Sequence, residues 1–143
     1  MNYEKCCGAV IYTKINGEIF YILVSNLRGI YGFPKGHMED SETETETALR
    51  EVYEETHLRI RIIDGFRTTE IRNVPYKQNT FKEIVYFLGT YSNQSFSYQK
   101  EELTGAYCVS FSQALSLLQM ESSKHILREA NDFLLGVSKD CGE

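Results

Sequence analysis

Between Glu39 and Thr56 the chain sets eight acidic residues, Glu39, Asp40, Glu42, Glu44, Glu46, Glu51, Glu54 and Glu55, against one base, Arg50. The segment Ser41 to His57 has helical spacing, and Ser41 with Glu44 three residues later suits a capping box. With Glu51 at zero and about 100° per residue, Glu55 falls at about 40°, Glu54 at about −60° and Glu44 at about 20°. The apolar arc is adjacent, with Ala48 at about 60°, Val52 at about 100°, Thr45 at about 120° and Leu49 at about 160°. A solvated charge face should lie opposite the buried stripe. Here the carboxylates begin where the stripe ends, which is the position of a cleft edge. Like charges at i and i+4 cost about 0.2–0.5 kcal/mol per pair, so the cluster is unfavourable unless a cation offsets it. Clustered hard oxygens suit Mg²⁺ or Mn²⁺. On helix geometry alone, a Glu-rich solvated face paired with Arg50 is the alternative.

The rest of the chain sets the frame for this helix. Cys7 to Tyr12 and Ile19 to Ser25 read as strands, joined by an Asn16-Gly17 hairpin turn. Gly and Pro from Gly29 to Gly36 predict an irregular loop. Leu58 to Phe66 and Phe81 to Tyr91 read as strands around a polar loop, Thr68 to Thr80, and Ala106 to Ser110 as a short strand. Ser112 to Met120 and Ser123 to Leu135 have helical spacing. This mixture predicts an α+β, or mixed α/β, fold, and 143 residues fit one domain spanning 1–143. No apolar run approaches the ~18 residues of a membrane helix, and the N-terminus lacks a secretory layout, so a cytoplasmic protein is expected. Cys6, Cys7, Cys108 and Cys141 form no metal-binding spacing and read as reduced, small apolar residues. The net charge of −5 speaks against broad nucleic-acid binding. It admits a phosphorylated small molecule, provided divalent cations bridge the two.

Gly36, five residues, Glu42, seven residues, then Arg50-Glu51-Val52-Tyr53-Glu54-Glu55-Thr56-His57-Leu58 resembles the Nudix box, G-x5-E-x7-R-E-U-x-E-E-x-G-U, where U is bulky and apolar. Every defined position of residues 36–58 matches except His57, where the pattern has Gly. A Gly there would supply a left-handed residue closing the helix; His is among the non-Gly residues enriched at positive φ, so the turn can survive. The resemblance implies a mixed β-sheet between α-helices, with the box as loop–helix–loop. It also implies that Glu51, Glu54 and Glu55 bind divalent metal and that Arg50 orients Glu51. Glu42, near 180° on the wheel, is expected to have a role either in the structure or behind the metal ligands. A further ligand or general base is expected downstream at Glu102, with Glu101 the fallback and a solvated loop the plain alternative. A carboxylate, Glu51 or Glu102, would then take the proton of a metal-bound water.

Tyr31-Gly32-Phe33-Pro34-Lys35-Gly36-His37-Met38-Glu39 is similar to the W-G-F-P-K-G-H-x-E of the diadenosine tetraphosphate hydrolase subgroup, with Tyr31 in place of Trp. Lys82 and Tyr86 match a Lys and a Tyr of that subgroup, and Leu127 to Leu134 looks like its closing helix. The similarity implies a small-molecule nucleotide substrate, diadenosine tetraphosphate cut to ATP and AMP. Lys35, His37 and Lys82 would supply cations to the phosphates, and Lys35 is also counted in the metal set with Glu51, Glu54 and Glu55. Tyr86, Tyr76 or Phe133 would offer a flat partner to adenine, although Phe133 also reads as core. Cys108 stands where many relatives carry Trp, so any contact made by that Trp is missing here. Other Nudix substrates (nucleoside triphosphates, nucleotide sugars, RNA 5′ ends) form a second reading. A nucleotide sensor without turnover is a third, against which the intact R-E-x-x-E-E set argues.

Overall fold

The computed structural model describes residues 2–136. Strands β1 (Asn2–Ile15) and β2 (Glu18–Asn26) form the expected hairpin. Asn16 and Gly17 both have positive φ, 52° and 81°, as a two-residue turn between twisted strands requires. Two short strands follow, β3 (Tyr31–Gly32) and β4 (Lys35–His37), then helix α1 (Glu44–Thr56). Strands β5 (Arg61–Asn73), β6 (Thr80–Thr90) and β7 (Leu103–Ser110) lead to helices α2 (Phe111–Leu117) and α3 (Glu121–Leu135). The sheet runs β3-β2-β1-β6-β5, with β4 added to β1 and β7 to β2. Among the described residues only the β1–β6 pair is parallel, so the sheet is mixed.

Alternation along β1 divides the core between the two faces of the sheet. Cys7, Ala9 and Ile11 face α1, where Ala48 and Val52 complete two apolar clusters. Cys6 and Val10 face the other way, toward Ala114, Leu118, Ile126, Leu127 and Ala130 of the region spanning α2 and α3. Each such side chain, wholly removed from water, contributes about 1.5–3 kcal/mol when it is Val- or Leu-sized. The result is the mixed α+β arrangement expected, a mixed sheet between helices. Among the described residues no helix is long and apolar enough to cross a membrane. Cys6, Cys7 and Cys108 are free thiols, the first two buried; Cys141 lies outside the described residues.

Four local expectations are corrected. Helix α1 starts at Glu44, not Ser41, and its capping box is Thr43 with Glu46. Leu49 is exposed rather than part of the buried arc, because α1 seats on Ala48 and Val52. Strand β5 continues to Asn73 through most of the segment read as the first half of a polar loop. The Gly- and Pro-rich stretch also carries ladder pairs: Gly36 pairs with Cys7 and Gly32 with Val24.

Candidate active site

The start of α1 is fixed by the turn before it. The Glu42 carboxylate accepts hydrogen bonds from the Glu39 N–H at 3.0 Å and from the Thr47 hydroxyl at 2.9 Å. Glu42 therefore lies in a turn ahead of the helix, and its wheel position has no meaning there. The same carboxylate takes two hydrogen bonds from Arg50, Nε to Oε2 at 2.6 Å and Nη2 to Oε1 at 3.0 Å. Arg50 also donates to the His37 carbonyl at 2.9 Å, to Glu51 at 2.9 Å and to Glu54 at 3.2 Å. One guanidinium thus ties turn, strand β4 and helix together, and holds Glu51 in place. Gly36 makes room for Glu51: a β-carbon there would overlap its carboxyl group. At the other end of α1, His57 adopts the left-handed conformation expected of it, φ 64°, with its N–H bonded to the Tyr53 carbonyl.

Glu51, Glu54 and Glu55 line one cleft of about 420 Å³. Glu102, immediately before β7, joins them there, whereas Glu101 does not. Glu55 is only 6% exposed. Burial pushes its carboxyl up to about 8, Glu51 and Glu102 add to the shift, and the charge and backbone of Lys35 oppose it. The Glu51 carboxyl is also raised, first by burial, with Arg50 opposing. Lys35 and Lys82 line the same cleft, and burial lowers the Lys35 ammonium pKa, with Arg72 and Lys82 adding to the effect. Acids and cations therefore share one cavity.

The remaining expected residues divide. His37 reaches the cleft but also pairs with Glu4 at 3.1 Å. Tyr86 borders it with a ring 1% exposed, set edge-on to Phe33 at 5.5 Å, so it has no free face for a base. Tyr76, 75% exposed, stands in the β5–β6 loop and is not among the cleft residues. Phe133 packs edge-on to Phe66 at 5.6 Å and also lies outside the cleft. A protonated Lys35 ammonium has no acceptor to give a metal, so among the metal set it serves as a counter-charge.

Tyr31 supplies the aromatic wall that these residues do not, its ring 5.4 Å from that of Tyr107. Arg72, also in the cleft, was missed because its segment reads as loop. The period of two lies in the burial, where Phe66, Thr68, Glu70 and Arg72 alternate with more exposed residues, and not in the hydropathy, since the apolar Ile71 is on the exposed side.

Among the described residues, no three His, Cys, Asp or Glu side chains form a preformed metal cage. Glu51, Glu54 and Glu55 nevertheless bring hard oxygen donors to the cleft, the donor type that a divalent cation takes alongside water and phosphate oxygens. A buried carboxyl driven far above its ordinary range, as Glu55 is, also fits a site completed by a cation.

Known proteins resemble this chain in sequence and in fold. The family model for the NUDIX domain matches residues 8–130. The asymmetrical bis(5′-nucleosyl)-tetraphosphatase of Rattus norvegicus is 30% identical over 142 residues, covering 91% of this chain and 95% of that protein. Its Sus scrofa counterpart is 28% identical over 146 residues, covering 94% and 97%. Among solved structures, a C. elegans Ap4A hydrolase binary complex superposes with a TM-score of 0.84 at 24% identity, over 93% of this chain and 98% of that one.

Proposed function

The chain belongs to the NUDIX family and is a pyrophosphohydrolase of it, and from that premise we propose that its substrate is diadenosine tetraphosphate, cleaved asymmetrically to ATP and AMP with Mg²⁺. The observation that carries this reading is one cavity lined both by carboxylates from α1 and by Lys35 and Lys82. A phosphate chain needs cations along its length, and this cavity offers fixed ones beside a site suited to a mobile one. The tetraphosphatase relatives, aligned over nearly the whole chain, support the choice of substrate.

Glu51, Glu54 and Glu55 would hold the metal ion, which when bound polarises phosphoryl oxygens and lowers the pKa of a coordinated water. The protein's own groups do the rest. Arg50 fixes the Glu51 carboxylate from behind. Glu51 or Glu102 accepts the proton of the attacking water; burial has already raised Glu51 toward the range where a general base works best. Lys35 and Lys82 bind the phosphate oxygens, and Tyr31 offers a face to an adenine. No covalent protein intermediate is required.

The test is a substrate panel with Mg²⁺: diadenosine polyphosphates, nucleoside triphosphates, nucleotide sugars and 5′-triphosphorylated RNA, with products resolved by chromatography. ATP plus AMP from diadenosine tetraphosphate, at a kcat/KM well above the others, is expected. A nucleotide sugar or triphosphate turned over at least as efficiently would overturn the choice of substrate. Tight nucleotide binding without turnover would point to a sensor.

A further inference from the structure

Resting on the reading of the substrate as a polyphosphate, we propose that Arg72 is a specificity-determining residue, its guanidinium holding phosphates beyond those nearest the carboxylates and so favouring long phosphate chains over a single pyrophosphate. Arg72 sits near the end of β5, in direct register with Lys82 on β6. Like charges directly opposite on neighbouring strands repel, and both side chains open into the cleft that Lys35 also lines. Among the described residues neither Lys35 nor Lys82 has an ion pair. Arg72 has Glu70 as one partner, and an anion is what would relieve the two lysines beside it.

The order along the cleft follows the sheet. Gly36 of β4 abuts the Glu51 carboxyl and Lys35 is its neighbour on that strand, while β1, then β6 with Lys82, then β5 with Arg72 follow in turn. Lys35 therefore stands between the acids and the Arg72–Lys82 pair. A chain with its scissile phosphate at the carboxylates runs past Lys35 and ends its reach at Arg72. A pyrophosphate would be too short to use all three.

Arg72 is built into place rather than free on the surface. Its Nη2 donates to Oε1 of Glu70 at 2.7 Å, and Glu70 is buried. The pairing is single: the second Glu70 oxygen and the Arg72 Nε are both buried without a partner. A guanidinium has five N–H donors, so one edge is anchored while others remain for the cleft. Its planar fork matches a phosphate group in a way that the point charge of Lys82 does not.

The experiment is calorimetric titration of the whole protein, in Mg²⁺ buffer, with inorganic tripolyphosphate and with pyrophosphate. Arg72→Ala is expected to weaken tripolyphosphate at least 10-fold and pyrophosphate less than 3-fold. Since alanine leaves Glu70 buried and unpaired, Arg72→Lys keeps a donor to it and serves if the alanine variant does not fold; a loss confined to tripolyphosphate is again expected. Parental affinity for both anions, or equal losses on both, overturns the assignment. Because the probes are inorganic, this outcome is independent of whether diadenosine tetraphosphate proves to be the substrate.

Discussion

Gly36→Ala separates what this glycine does for chemistry from what it does for folding. An alanine β-carbon would meet the carboxyl carbon and both oxygens of Glu51, so that group must retreat by more than about 1 Å. The obstacle is the tip of a flexible side chain, and the Gly36 backbone is not left-handed, so the fold can absorb the change. Losing the Arg50–Glu51 hydrogen bond, whose side chains are only 24% and 13% exposed, costs about 1.5–3 kcal/mol. Replacing Gly by Ala where the backbone allows it returns about 0.4–1 kcal/mol through the unfolded chain. The balance is a loss of about 0.5–2.5 kcal/mol, and Tm should fall by no more than about 8 °C. Moving a reacting group by about 1 Å can cost about 10²-fold, or about 2.7 kcal/mol of transition-state stabilisation. The assay is kcat on diadenosine tetraphosphate at saturating Mg²⁺, beside a thermal melt. Parental kcat with parental Tm would refute the placement of Glu51 in the chemistry. A Tm drop well beyond about 8 °C would instead show that Glu51 cannot move and that the glycine is a packing requirement.

Glu55→Gln should trade activity for stability. Burial raises the Glu55 carboxyl to about 8, so its ionisation costs metal-free stability progressively as pH climbs from the ordinary 4.5 toward that value. In EDTA at about pH 7.5 the variant should melt several degrees higher, a gain on the order of 1–3 kcal/mol, while kcat with Mg²⁺ falls at least about 10²-fold; an unchanged melt and an unchanged kcat would both count against the reading. Tyr31→Ala should raise KM for diadenosine tetraphosphate about 5- to 20-fold, as loss of one stacking face implies, whereas Tyr76→Ala, outside the cleft lining, should leave KM alone. The reverse pattern in steady-state kinetics would return the adenine to Tyr76. Arg67 and Lys5 hold the Glu44 carboxyl at about 2, so the stability these pairs contribute is complete above the ordinary 4.5 and fades as pH falls toward 2. Urea denaturation across that window should show a shallower pH slope for Glu44→Gln; an unchanged slope would mean the pairs do not form in solution.

The hairpin and the body of α1 were legible because local chemistry decides them. Asn16-Gly17 is one of few pairs that accept two positive φ angles, and Ala48 and Val52 give α1 one apolar seat. The helix start was not decided locally. Ser41-Glu42-Thr43-Glu44-Thr45-Glu46 offers two overlapping capping boxes, and the choice falls to Thr43 because Glu42 is drawn away by Arg50, Thr47 and Glu39. Likewise β5 hid its second half, since the residues it turns inward there, Thr68, Glu70 and Arg72, are polar. Arg72 faces the cleft, Glu70 is buried against it and Thr68 bonds Glu129, so hydrophobic alternation was the wrong signal. Tyr76 and Phe133 were chosen for ring chemistry, which carries no information on where a ring ends up. Arg50 with the three glutamates was readable as a set, since fixed spacing on one helix fixes relative direction.

The Arg50 guanidinium has consequences well beyond its own position. Its hydrogen bonds reach a turn, a strand and two levels of a helix, and no other side chain has a donor fork of that span. Glu42, which never meets the cavity, is therefore mechanically continuous with Glu51, which does. Damage at the outer carboxylate should be felt at the inner one, so the boundary between scaffold and machinery in this molecule runs through a single side chain.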